Sequence, residues 1–130
     1  MRVLIPVSAG DLIDRITILQ IKKARITDAA KVANVSMELD ALIAIRDGIP
    51  ELLTRSMRLK ERQLYEQNMV LWNAENRVRA YESKNAFGKE FIASARRIYR
   101  TNGKRARIKQ ELNEMTGSEL REVKWFPLPK

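Results

Sequence analysis

The chain has 130 residues, with 25 Lys and Arg against 16 Asp and Glu, a formal charge of +9, and neither cysteine nor histidine. That length suits one domain with its own core and is too short for two. The missing Cys and His exclude disulfides, Cys/His zinc or iron–sulfur centres, and Ser-His-Asp or Cys-His catalysis, leaving Asp, Glu, Lys, Tyr or Arg for any chemistry. The apolar start, Val3-Leu4-Ile5, is too short for a signal peptide, and no span approaches transmembrane length. A cytoplasmic protein without integral membrane association is expected, with no cofactor and no metal site.

Glycines and prolines divide the chain at Gly10, Gly48-Pro50, Gly88, Gly103, Gly117 and Pro127-Pro129. A first helix is predicted over 9–26. Ser8 is its cap, Asp11 completes a capping-box pattern, and Leu12, Ile13, Ile16, Leu19 and Ile26 form its apolar face. Asp11 and Arg15 stand at the spacing of an i,i+4 ion pair. Ile26-Thr27-Asp28 offers cap residues and is expected to turn the chain into a second helix over 28–47, with Val32, Val35, Leu39 and Leu42 inward, the alternative being one unbroken helix through Thr27.

A third helix is predicted over 51–84. Met57, Leu64, Leu71 and Val78 recur at heptad spacing, with a weaker seam of Lys60, Gln67, Ala74 and Tyr81. One strong and one weak seam favour an antiparallel hairpin over a self-sufficient coiled coil. Its partner is predicted over 89–115, where Phe91, Ala95, Ile98, Ile108, Leu112 and Met115 continue the apolar face across Asn102-Gly103. Residues 119–130 read as an extended tail that pairs with Val3-Leu4-Ile5 or docks on the bundle. The expected fold is all-α: two antiparallel helical hairpins forming a four-helix bundle-like body. The second hairpin is longer and projects at its tip, with short extended segments at both ends of the chain.

Between Phe91 and Gln110 lie seven cations and no acid: Arg96, Arg97, Arg100, Lys104, Arg105, Arg107 and Lys109. On a continuous helix Arg97, Arg100, Lys104 and Arg107 make one stripe, flanked by Arg96, Arg105 and Lys109. Such a stripe neutralises phosphates or an acidic protein surface. Tyr99 lies inside it as a candidate stacking residue. Thr101 and Asn102, next to Gly103, are candidate anion contacts if the Asn-Gly pair kinks the helix. The plain alternative is a solvated face whose cations pair with Glu61, Glu66 and Glu75 on the facing helix, with Arg105 partly buried against Gln67 or Glu66. Phe87, Trp125 and Phe126 are candidate apolar partner contacts, at the hairpin tip and the tail.

Three separated segments carry a resemblance: Pro6-Val7-Ser8-Ala9-Gly10-Asp11-Leu12-Ile13-Asp14-Arg15-Ile16-Thr17-Ile18-Leu19, Ile98-Tyr99-Arg100-Thr101-Asn102, and Thr116-Gly117-Ser118-Glu119-Leu120. In these the chain resembles a family of small uncharacterised bacterial all-helical proteins, with phage-encoded members also conceivable, that is a domain of unknown function. The resemblance covers nearly the whole chain and implies an accessory role, with no catalytic residue to carry over. The chain departs from the family pattern at Gly103, where an acid is usual, and in its Trp125-Phe126-Pro127 ending.

The function expected from these features is a non-enzymatic basic interaction module that captures an acidic protein surface through the stripe, with homodimerisation open. The alternatives are sequence-nonspecific nucleic-acid binding and a small helical enzyme acting on an anionic metabolite. The enzyme reading would gather Asp14, Lys22, Glu38, Arg46 and Arg100, as small helical chorismate mutases line their sites, and Leu12–Arg15 is faintly similar to their first helix.

Overall fold

The computed structural model describes residues 1–125. It has four helices, α1 (Ala9–Arg25), α2 (Ala29–Asp47), α3 (Arg55–Ser83) and α4 (Lys89–Thr116), with a 3₁₀ turn at Pro50–Leu52. The architecture is all-α, as the periodicity predicts, and the described residues contain no strand. Three helices start on side-chain caps: Ser8 Oγ, Asp28 Oδ1 and Thr54 Oγ1 accept from the backbone N–H three residues on, at 3.0, 3.0 and 3.3 Å. Each cap satisfies a donor that the first helical turn would otherwise leave open.

Gly117 closes α4 in the left-handed region, at φ 63°. There its N–H and that of Ser118 reach back to the carbonyls of Glu114 and Asn113, the Schellman arrangement that a residue without Cβ permits. Gly103, by contrast, does not break the chain. It sits inside α4, exposed, and the helix runs through it without interruption. The third helix begins four residues later than its periodicity suggests, because Pro50 opens the separate 3₁₀ turn.

The core gathers Leu12, Ile13, Ile16 and Leu19 of α1 with Leu39 of α2, Leu52, Met57 and Leu64 of α3 and its approach, and Leu112 of α4. The first helix is the hub and packs on all three others, while α2 lies against α1 and touches the 3₁₀ turn. Only Leu39 of α2 is buried; Val35 and Leu42 reach the core partly, as their spacing predicts.

The α3–α4 hairpin is the longest element, and at 1.5 Å per residue α3 spans about 43 Å against about 26 Å for α1. No residue between Ala74 and Ser94 is buried, so the tip projects from the body. Phe87 and Phe91 close it edge to face, with ring centroids 5.2 Å apart and planes at 84°.

Gly10 was expected to mark a boundary, yet it lies inside α1 and is buried. A Cβ there would meet the carbonyl oxygen of Lys109 at 2.7 Å, and the Gly10 N–H donates to Asn113 Oδ1 at 2.7 Å. The residue is glycine because α1 and α4 touch backbone to backbone at this point.

Of the two fates expected for the tail, pairing with Val3-Leu4-Ile5 is not seen among the described residues: these three stay exposed and form no strand, and Val123 and Trp125 are exposed as well.

Candidate anion-binding surface

A helix advances by about 100° per residue. On that measure Arg96, Arg97, Arg100, Lys104 and Arg107 fall within about 100° of arc, and Arg105 and Lys109 lie roughly a quarter-turn or more beyond its edge. The fold treats the two groups in opposite ways.

Arg105 and Lys109 turn toward α1. Arg105 Nη2 donates to Asp14 Oδ2 at 2.6 Å, and Nη1 donates to Asn102 Oδ1 at 2.8 Å. Asp14 is buried, and its other oxygen accepts from Asn68 Nδ2 at 2.9 Å. That amide also donates to Thr17 Oγ1 at 2.9 Å, while the Thr17 hydroxyl donates to the Asp14 carbonyl at 2.8 Å. A buried carboxylate is tolerable here because a guanidinium and an amide both reach it.

Lys109 Nζ lies 2.9 Å from Asp11 Oδ1, 3.8 Å from Asp14 Oδ2 and 2.7 Å from Glu122 Oε2. Burial works to lower the affinity of the Lys109 ammonium for its proton. The hydrogen bonds to Glu122 and Asp11 and the charges of Asp14 and Asp11 outweigh it, so the group is held above its ordinary value. Glu122 is held below the usual carboxylate range, first by its hydrogen bond to Lys109; burial opposes this as the next effect, and the Lys124 hydrogen bond adds to the lowering. These contacts tether the tail at Glu122.

Two of the seven cations are therefore structural. Arg105 is partly buried, as expected, but its acid is Asp14 of α1 rather than Glu66 of α3. Asp11 serves Lys109 instead of Arg15. Asn102 is committed to Arg105, and with α4 unbroken no kink gathers backbone N–H groups beside it.

The other five cations keep no such company. Glu61 pairs with Arg46 at 2.6 Å and Glu66 with Arg62 at 3.6 Å. Lys60, from the weak seam, takes Glu111. Among the described residues no carboxylate lies within ion-pair distance of Arg96, Arg97, Arg100, Lys104 or Arg107.

Two acid-free grooves flank the ridge they form, beside a smaller one of about 290 Å³ that sets Lys104 and Arg107 near Glu66 and Glu111. One, of about 550 Å³, lies between α3 and α4 and is lined by Arg77, Arg96, Arg97, Arg100 and Lys104 over Ser94 and Thr101. The second, of about 840 Å³, is lined by Tyr99, Arg100, Gly103, Lys104, Arg107 and Lys124, among others. Neither lining contains a carboxylate. Gly103 helps here, since an acid at that position would face the second groove.

Arg77, Ser94 and Lys124 are the members that sequence reading missed. Arg77 was legible in principle, because it stands three residues after Ala74 on the flank of the weak seam. Lys124 was not, because its placement depends on the Lys109–Glu122 tether. Phe87 is half exposed at the tip and Trp125 is exposed in the tail; Phe126 lies outside the described residues.

The family model described as "Family of unknown function (DUF6165)" matches residues 1–129. The chain belongs to this DUF6165 family. No curated protein and no solved structure matches it.

The residues that an enzyme reading of this DUF6165 chain would gather do not converge. Asp14 is engaged by Arg105 and Asn68, Arg46 by Glu61 and Asp47, and Glu38 is exposed on α2. Arg100 lines the grooves on α4. Among the described residues no three acids gather as metal ligands, and no helix is long and apolar enough to cross a membrane.

Proposed function

We propose that this DUF6165 protein is a non-enzymatic interaction module that captures an acidic protein surface through the outward cations of α4. The observation that carries this reading is a ridge of five cations with no carboxylate of the described residues in ion-pair range, in a fold that pairs Arg105 and Lys109 where acids are near. Leaving like charges adjacent and uncompensated costs stability, and an acidic partner removes that cost on binding. A partner surface rich in Asp and Glu supplies the complementary field, and the exposed Phe87 and Trp125 can add apolar contact at the edges.

A second reading, nucleic-acid binding without sequence preference, is favoured by one specific observation. Tyr99 is 71% exposed and shares a groove with Arg100, Lys104 and Arg107, which is the combination of a stacking ring with phosphate-neutralising cations.

Anisotropy titrations of labelled poly-glutamate and of single- and double-stranded oligonucleotides, at low salt and at about 0.15 M, test both. Capture of poly-glutamate that persists at the higher salt, and disappears in Arg100→Glu with Lys104→Glu, supports the first reading. Tighter oligonucleotide binding that Tyr99→Ala weakens moves the function to nucleic acid. Binding of neither probe at the higher salt reduces the ridge to a solvated face.

A further inference from the structure

The groove between α3 and α4 holds a feature that a flat capture surface does not need. Ser94 and Thr101 are 7% and 3% exposed, and both line the groove beneath the cations. Hydroxyls inside helices usually settle their hydrogen by donating to a carbonyl three or four residues back. Thr17 does so toward Asp14, Ser83 toward Ala80 and Thr116 toward Leu112. Neither Ser94 nor Thr101 makes a side-chain hydrogen bond among the described residues. Neither hydroxyl is sealed from solvent, so each opens onto the groove floor with a hydrogen free to donate to an external acceptor.

Above them stand Arg77, Arg96, Arg97, Arg100 and Lys104, contributed by both helices. Arg77 is the informative member. It belongs to α3, off the α4 ridge, and it closes the groove from the opposite wall.

We infer that this groove is a binding site for a condensed phosphate, the di- or triphosphate chain of a nucleotide or of inorganic polyphosphate. A carboxylate or a single phosphate would leave most of five positive charges unanswered, whereas a triphosphate carries three to four negative charges along a short, flexible chain. Planar guanidinium forks match phosphoryl oxygens two at a time. The hydroxyls beneath donate to oxygens that the arginines above do not reach. A volume of about 550 Å³ lies within the range of small-ligand sites. The site rests on the same cationic face as the proposed capture surface but has its own determinants, Arg77, Ser94 and Thr101.

The test is calorimetric titration of the whole chain with tripolyphosphate, orthophosphate and a nucleoside triphosphate at matched ionic strength. Tripolyphosphate is expected to bind at least about tenfold more tightly than orthophosphate, and Arg77→Gln to weaken it about tenfold, the size of one lost charge-assisted contact. Thr101→Val is expected to weaken it severalfold while leaving the melting temperature of the free protein unchanged, because the hydroxyl bonds no protein group among the described residues. A structural hydroxyl would lower that temperature instead.

Equal affinity for the nucleoside triphosphate and tripolyphosphate assigns recognition to the phosphates alone; tighter nucleotide binding adds a base or ribose contact. Both support the site. Equal binding of tripolyphosphate and orthophosphate, or binding indifferent to both Arg77→Gln and Thr101→Val, overturns it.

Arg107 lies outside this groove's lining, so Arg107→Gln separates the two ideas. It should weaken poly-glutamate capture and spare tripolyphosphate. Loss of the groove with poly-glutamate capture intact defeats this inference alone, and the reverse result defeats the capture reading alone.

Discussion

Within one helix, residues nine and twelve apart meet opposite fates. Lys109 is ringed by Asp11, Asp14 and Glu122, while Arg97 and Arg100 have no carboxylate in ion-pair range among the described residues. Composition treats these residues alike, since all belong to one acid-free run. The difference comes from the azimuth at which each leaves α4. Cations that face α1 pair with its N-terminal acids, and cations that face away line grooves in which no carboxylate of the described residues comes within ion-pair range. A basic run is thus two things at once, a seam that fastens α4 to α1 and a surface kept charged toward solvent.

Several measurements would break or sharpen that contrast. The largest effect is expected at the fastened end. Asp14→Ala strands the Arg105 guanidinium and the Asn68 amide, and should lower unfolding free energy by about 3 kcal/mol in urea denaturation. The equivalent loss on the free side, Arg97→Ala, should stay within about 0.5 kcal/mol. Equal costs for the two would mean that the division of the run is wrong.

Gly10→Ala comes next. Its methyl would press on the Lys109 backbone, and because main chain cannot rotate away, a loss of about 2 kcal/mol is expected, again read by urea denaturation. Gly103→Ala, in open space within the same chain, should instead stabilise α4 by up to about 1 kcal/mol.

The smallest effect concerns pH and the tail. Because Glu122 is held below the ordinary carboxylate range, its contribution is present above the free-chain value of about 4.3 and is lost as pH falls through the folded value. Lys109 is held above its ordinary value, so its share is complete below the free-chain value of about 10.4 and fades as pH rises through the folded one. Amide exchange of residues 118–124 should therefore speed up at both extremes, relative to the intrinsic rate, and Glu122→Gln should remove the acid limb alone. An exchange profile untouched by that substitution would show that the tail is held by something other than the ion pair.

Most of the architecture was legible before the fold was seen. The Ser8 cap, the turn before Asp28, the heptad positions Met57 and Leu64, and the unbroken phase from Ile98 to Leu112 all depend on local spacing, which a helix converts directly into a face. The site was only half legible. Spacing assigned Arg97, Arg100, Lys104 and Arg107 to one stripe, but Asp11 and Asp14, which take Arg105 and Lys109, lie some ninety residues away in the chain, and Glu122 reaches Lys109 from the tail beyond the helix. Arg77 and Lys124 likewise join the grooves from other elements.

The sequence by itself therefore determined four helices, their apolar faces and a positive run without internal acids, because each is set by neighbours within one or two turns. Only the tertiary structure decided which cations stay free. That depends on how α1 lies across α4, and the lie is fixed by Gly10 against the Lys109 backbone and by buried Asp14, whose charge must find Arg105. Contacts between residues so far apart carry no local periodic signature, so the division between tether and binding surface exists only once the chain has folded.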